Sequence, residues 1–411
     1  MTDLPKKGIP WTQLDTMLDE ARAHDVDWRN GRIGVYIHYD GDDVLEVAKK
    51  AYLKYFSENG LGPKAFPSLA KFENEVVSMA VNLLGGGRDA TGAMTTGGTE
   101  SIFLAVKTAR DWARKHRPNA RNPEIVAPYS AHPAFNKAAD FMGLRVKRVP
   151  ITKDFLADPA AMEAALSADT VMMVGSAPAF PHGVVDPIPE LGAVAERRGV
   201  WLHVDACVGG YFAPFARKLG VKMPAFDFSV PGVRSISADL HKYGYTAKGA
   251  STVLYRDRES FSFQAYEFEE WPRGKYSTQS LVGTRAGGAI AAAWAVMNYL
   301  GEDGYLRITE RVLKIRQRLE DGVRKLGFEV YGKPQLGILT YGSSREDIYA
   351  IADRLGEKGW FVGRLAEPRG IHIMLNLTHE PVIDQYLADL AKAREEAARS
   401  PRTVSAAAAT Y

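Results

Sequence analysis

Along the chain, apolar positions alternate between two spacings. Over Ser68–Leu84 and Thr99–His116 they recur every three or four residues, which predicts amphipathic helices. Between and beyond them come short β-branched or apolar runs. Glu124–Pro128, Arg145–Pro150, Thr170–Gly175, Val200–Asp205, Ser235–Ala238 and Ser251–Tyr255 read as strands. Strands alternating with helices predict an α/β fold with a large, mostly parallel sheet covered on both faces. Gly287–Leu300 is mostly apolar but too short to span a bilayer, so it predicts a buried helix, and a long helix follows over Tyr305–Leu326. The remaining pattern, Phe328–Tyr331, Gly337–Tyr341, a helix over Arg345–Lys358 and Ile371–Leu377, predicts a small C-terminal α+β domain. The expected organisation is a helical N-terminal segment (1–60) around a short loop at Arg32–Tyr36, a large domain (61–304), the small domain (305–399) and a low-complexity tail (400–411). There is no internal repeat.

Composition narrows this little. Of 411 residues, 46% are hydrophobic and 25% charged, as in ordinary globular proteins. Lys plus Arg is 52 against 49 Asp plus Glu, so no single-sign field points to nucleic acid or a membrane surface. The one cysteine, Cys207, excludes an intrachain disulfide and fits a reducing compartment. The opening residues hold no apolar run of signal-peptide type, and the expected setting is the cytoplasm with no integral membrane segment.

The chemistry concentrates at predicted strand ends, where ligands bind in parallel sheets. Lys242 ends the strand Ser235–Ala238 in the run Ser-Ile-Ser-Ala-Asp-Leu-His-Lys. An unpaired ammonium is costly to bury, whereas a lysine in a Schiff base with pyridoxal phosphate (PLP) is not charged in that way. Alone, Lys242 reads equally as a surface lysine after an edge strand. Upstream, however, an apolar strand ends in Asp205, the kind of carboxylate that keeps a pyridine nitrogen protonated. Thr95-Thr-Gly-Gly-Thr-Glu-Ser101 opens a helix, where glycines and unpaired N–H groups suit a phosphate. The turn at Ser176 falls at the same edge. His203 shares a strand face with Asp205, but no third metal ligand is evident.

The pair of motifs His203–Gly210 and Ser235–Gly249 resembles the PLP-dependent decarboxylase group of fold type I, and within it the sphingosine-1-phosphate lyases and their bacterial relatives, over about Gly34–His379. The resemblance implies a PLP-binding large domain with a seven-stranded type of sheet, and a homodimer with shared active sites. It implies that Lys242 carries PLP, Asp205 holds the ring nitrogen, His132 lies on the ring, and Gly97, Gly98 and Thr99 form the phosphate cup. Ser176 and His241 join the cofactor site. Thr284, in Gly283-Thr-Arg285, matches a segment that reaches the partner's cofactor phosphate. Tyr36 and Lys248 match catalytic positions that move a proton or bind substrate phosphate; Lys248 read on its own is a solvated hairpin lysine.

The implied reaction is Cα–Cβ cleavage of a β-hydroxy amine, phosphorylated as in sphingosine-1-phosphate, to an aldehyde and an amine. One departure keeps an alternative open. Lyases of the group carry Asn-Pro-Leu-His-Pro before Phe-Pro-Ser; here the text is Asn59-Gly-Leu-Gly-Pro63, with Gly62 in place of the histidine and Lys64 nearby. α-Decarboxylation of an amino acid is the alternative reaction. A non-catalytic PLP-binding scaffold is the third reading, and the joint presence of lysine, aspartate and cup weighs against it.

Overall fold

A computed structural model describes residues 2–399; the tail predicted at 400–411 lies outside the described residues. Three helices lead in: α1 (Trp11–Arg22), α2 (Asp42–Lys54) and α3 (Pro67–Leu83). A seven-stranded sheet follows, built from β1 (Thr91–Thr95), β2 (Glu124–Pro128), β3 (Arg145–Val149), β4 (Thr170–Ser176), β5 (Trp201–Asp205), β6 (Val233–Ala238) and β7 (Ser251–Tyr255). Their order is β1-β7-β6-β5-β4-β2-β3. β3, β2, β4, β5 and β6 run parallel, while β7 pairs antiparallel with both β6 and β1. Strands β4 and β5 are buried along their whole length, as a sheet covered on both faces requires.

Helices α4 (Gly98–His116) and α5 (Ala134–Met142) pack on one face, meeting Ile125, Ala127, Val171 and Trp201. The other face takes α6 (Pro159–Ala165), α7 (Ile188–Arg198) and α8 (Ala213–Lys218), and its core runs on into the C-terminal part. After the short α9 (Arg258–Ser262), an exposed hairpin pairs β8 (Tyr266–Phe268) with β9 (Tyr276–Thr278). The two helices expected over 287–326 are one run, α10 (Gly287–Lys325), broken by non-helical backbone at Gly301. A second sheet has the order β10-β11-β13-β12, from β10 (Glu329–Val330), β11 (Ile338–Gly342), β12 (Gly363–Ala366) and β13 (Arg369–Met374). Helix α11 (Ile348–Glu357) and α12 (Ile383–Arg399) cover it. The pattern reading missed β1 and α12. Among the described residues no helix is long and apolar enough to cross a membrane.

Residues 32–39 are stitched to the second sheet and its flank. Phe361 N–H donates to Arg32 O (2.8 Å), Met374 N–H to Gly34 O (2.6 Å) and Asn376 Nδ2 to Ile37 O (2.9 Å). The segment then enters α2 past Asp40, which is buried with Oδ2 unpartnered. Burial pushes the Asp40 carboxyl up to about 8, with Asp43 adding to the effect. Folded Asp40 thus keeps its proton to about pH 8, while the unfolded chain sheds it near 3.8. The native state binds more protons between those values, so this group's contribution to stability falls as pH rises through them. Asp40→Asn should therefore gain about 2–3 kcal/mol on wild type between roughly pH 5.5 and 7.5. Urea unfolding at both pH values measures the difference; a pH-independent difference would sink the assignment.

Candidate active site

A cavity of about 460 Å³ opens where the parallel strands end. Five strands deliver groups at or just after their last residue. β1 leads to Thr96–Glu100, β2 to His132, β4 to Pro178 and Phe180, β5 to Asp205 and Cys207, and β6 to Asp239, His241 and Lys242. Tyr36 and His38 arrive from the N-terminal segment, Met374 from β13, and Lys248 from the turn before β7.

The register sets Asp205 beside Ser237 on one side and Ser176 on the other. Asp205 Oδ1 accepts the Cys207 N–H (3.0 Å) and the Ser237 hydroxyl (3.4 Å), which fixes the carboxylate at the cavity floor. His203, two residues earlier, spends both ring nitrogens on Ser235 (2.8 Å) and Ser237 (3.2 Å). Burial depresses it to about 4, so it is a neutral core histidine and not half of a metal pair.

The loop Thr95–Gly98 is shaped for close approach. A Cβ on Gly98 would sit 2.8 Å from the Asp239 carboxylate and 2.9 Å from Cys207 Sγ, so only glycine fits. Gly98, Thr99 and Glu100 then start the 19-residue helix α4, whose first N–H groups and dipole favour an anion. The Glu100 carboxylate accepts Thr96 N–H (2.7 Å), the Thr96 hydroxyl (2.6 Å) and Leu281 N–H (2.9 Å). It thereby ties the segment before Thr284 to the cup. A glycine cradle on a helix N-terminus, a fixed carboxylate and a lysine across the cavity match the phosphate, pyridine nitrogen and aldehyde of PLP.

His132 accepts the Ala134 N–H at Nδ1 (3.1 Å), which holds its ring, and burial lowers its pKa. His241 is likewise lowered by burial and lies 3.7 Å from Asp239. Lys242 Nζ sits 2.9 Å from Asp239 Oδ2. Burial would depress this lysine, but the Asp239 carboxylate outweighs it and raises the pKa above the ordinary value.

Lys248 is tuned in the opposite direction. Burial of its ammonium and the charge of Lys242 lower it to about 8. Its stem is exposed, but Nζ turns in to the carbonyls of Tyr36 (3.2 Å) and His241 (3.1 Å). Tyr36 is presented by an unusual backbone: φ is 67°, and Ile37 N–H donates to Val35 O at 2.8 Å. That is a γ-turn of positive φ, a strained conformation costing about 1–3 kcal/mol. It turns the Tyr36 carbonyl toward Lys248 while the side chain borders the cavity.

Two expected residues do not line this cavity. Ser176 ends β4, and its N–H is donated to Asp186 (2.8 Å); Pro178 and Phe180 supply the wall instead. Thr284 is exposed on the surface. Arg285, expected to reach outward with it, is turned inward: it pairs with Glu73 and donates to Gly60 O (3.1 Å). Gly62 and Lys64, in the same loop as Gly60, also lie off the cavity of this chain. Asp239, Cys207, Glu100 and His38 were not anticipated. Asp239 stands three residues before Lys242, a spacing that carries a signal; His38, its ring nitrogens unpaired and its edge on Tyr243 (4.8 Å), carries none.

The chain is similar to known proteins over most of its length. The pyridoxal-dependent decarboxylase conserved domain matches residues 41–342. A sphingosine-1-phosphate lyase of Arabidopsis thaliana is 43% identical over 410 residues, covering 98% of this chain and 75% of that protein. Sphingosine-1-phosphate lyase 1 of Mus musculus is 38% identical over 403 residues, covering 97% and 71%. Among solved structures, the sphingosine-1-phosphate lyase of Burkholderia pseudomallei superposes with a TM-score of 0.92 at 35% identity, over 97% of this chain and 94% of that one.

The opposite tuning of the two lysines can be measured directly. A lysine with a pKa of about 8 is far more often neutral at pH 7.5 than an exposed one. Competitive acetylation near that pH should label Lys248 roughly tenfold or more faster than exposed Lys64. Equal labelling, read by peptide mapping, would contradict the depressed Lys248.

Proposed function

The chain belongs to the pyridoxal-dependent decarboxylase family, and we propose that it cleaves the Cα–Cβ bond of a phosphorylated β-hydroxy amine such as sphingosine-1-phosphate. It is a PLP-dependent lyase. In our reading the cup Gly97–Thr99 holds the cofactor phosphate, Asp205 the pyridine nitrogen and His132 the ring face. Lys242 is the attachment lysine, with His241 beside it. Bound there, PLP supplies the sink for the electron pair left on Cα.

The observation that carries the choice of bond is the Tyr36–Lys248 pair at the cavity wall. Splitting Cα–Cβ requires a base to take the hydroxyl proton as the aldehyde departs. Expelling carbon dioxide requires none. A lysine tuned to about 8 is a competent base near neutral pH, and protonated it is a cation for the substrate phosphate. Tyr36 lies within the same wall and can relay the proton. Gly62 in place of the family histidine supports the alternative, α-decarboxylation of an amino acid.

We also propose a homodimer with shared sites. Helix α1 buries none of its residues, and Trp11, Met17 and Leu18 are exposed. An isolated helix of 12 residues is marginal in water, so this apolar face calls for a partner. Tyr266, Phe268, Trp271, Leu281 and Val282 add exposed apolar surface next to Thr284. The lone buried Cys207, in contact range of the cup, favours a reducing compartment such as the cytoplasm.

Incubation of the PLP-loaded protein with sphingosine phosphate, shorter phosphorylated amino alcohols and a panel of amino acids decides the bond. Aldehyde should form, and should fall about 100-fold or more in Tyr36→Phe and Lys248→Ala. Carbon dioxide from an amino acid with no aldehyde from any amino alcohol would overturn the lyase reading. Lys242→Ala should lose the borohydride-stable cofactor adduct; an adduct on another lysine would refute its role.

Sedimentation tests the assembly. The active protein should run as a dimer, and mixing inactive Lys242→Ala with inactive Thr284→Asp protomers should restore activity. A fully active monomer would refute the shared site.

A further inference from the structure

Asp239 is 2% exposed at the end of β6 and faces three ways. Oδ2 meets Lys242 Nζ at 2.9 Å. Oδ1 accepts a 2.6 Å hydrogen bond from Ser251 Oγ on β7. From there a file of buried hydroxyls runs to the cup: Ser251 to Ser101 (2.9 Å), Ser101 to Thr95 (2.7 Å), and Thr95 to the Gly97 carbonyl (3.3 Å). The carboxylate also packs against the bare Cα of Gly98. Other charged or titratable groups surround Lys242: His241 on its own turn, Asp205 and Cys207 from the β5 end, His132 from the β2 loop, Lys248 before β7, and His38 from the N-terminal segment. Among the described residues, only Asp239 lies within ion-pair distance of its nitrogen. A buried ammonium without such a partner would be driven toward its neutral form.

The geometry points to Asp239 as the positioning residue of Lys242, holding its amine fixed and protonated whenever the lysine is not joined to the cofactor. This deepens the reading above and rests on Lys242 being the attachment lysine. When a substrate amine takes the lysine's place, the incoming ammonium sheds a proton and Lys242 gains one, so the exchange balances without an outside acid. Parked on Asp239, the freed lysine is not a nucleophile until it gives up that proton, which it holds ready to return to substrate. Through Ser251, Ser101 and Thr95 the parking place is keyed to the same loop that forms the cup, so lysine and phosphate positions are set by one hydrogen-bonded unit.

The test uses the cofactor-free protein and needs no turnover. Lysines are reductively methylated with ¹³C-formaldehyde, the Lys242 resonance is identified by its loss in Lys242→Arg, and its titration is followed by NMR. In wild type Lys242 should titrate above the ordinary lysine value of about 10.4. In Asp239→Asn it should fall by roughly one pH unit or more, a shift that loss of packing alone would not produce. Circular dichroism checks that the variant is folded; if it is not, the wild-type titration decides on its own. A wild-type Lys242 that titrates at or below the ordinary lysine value of about 10.4, or an Asp239→Asn titration unmoved from wild type, overturns the proposal. Carbon dioxide in place of aldehyde from the loaded enzyme would overturn the lyase reading and leave this titration standing.

Discussion

The pairing of β4, β5 and β6 governs where chemistry can occur in this molecule. A parallel strand buried on both faces has no solvent-facing side chains to offer along its length, so its reactive groups must come at or after its last residue. The register that sets Ser176 level with Asp205, and Asp205 level with Ser237, brings the loops of neighbouring strands out at one height. The acid at the cavity floor, the aromatic wall from Phe180 and the lysine turn are consequences of that alignment. A one-residue slip between β5 and β6 would face Asp205 into the helical layer and separate it from the Ser237 hydroxyl.

Within this frame, burial sorts the titratable groups. His132, His203 and His241 all lose proton affinity to desolvation and are neutral at physiological pH. The two lysines separate because, among the described residues, Lys242 but not Lys248 is paired directly with a carboxylate. Lys242 meets Asp239 at 2.9 Å, whereas Lys248 finds two carbonyl oxygens, which carry no net charge. An ion-paired lysine and a lysine of lowered proton affinity therefore line one cavity, although they come from the same short turn.

Most of the large sheet was legible because buried parallel strands are written as β-branched runs between helical periods. β1 escaped because Thr91-Gly-Ala-Met-Thr95 has small residues where a strand usually signals itself; it is held by pairing with β7. α12 escaped because its Ala- and Glu-rich text reads as polar, and only Ile383, Tyr386, Leu390 and Ala393 are buried. At the site, Lys242, Asp205 and the cup carry local motifs and were readable. Arg285 was not, since no local pattern shows that Glu73 and the Gly60 carbonyl capture it. Ser176 was misplaced by a short distance along its own turn: the strand keeps it for Asp186, and the following residues make the wall. His38 depends on a contact between distant segments, which no single stretch of sequence encodes.

The stitching of residues 32–39 to the second sheet bears on how the protein is made. Ile37 is held by Asn376, 339 positions away along the chain, and Tyr36 is kept in its strained turn by the same seam. A ribosome that has released the whole large sheet has still not released the strands that position Tyr36. The groups at the ends of the large sheet's strands can come together on the nascent chain, but the segment bearing Tyr36 must wait for the C-terminal residues that hold it. Contacts this distant in sequence form late and slowly. Tyr36, among the first residues to be synthesised, is thus fixed in place only by some of the last.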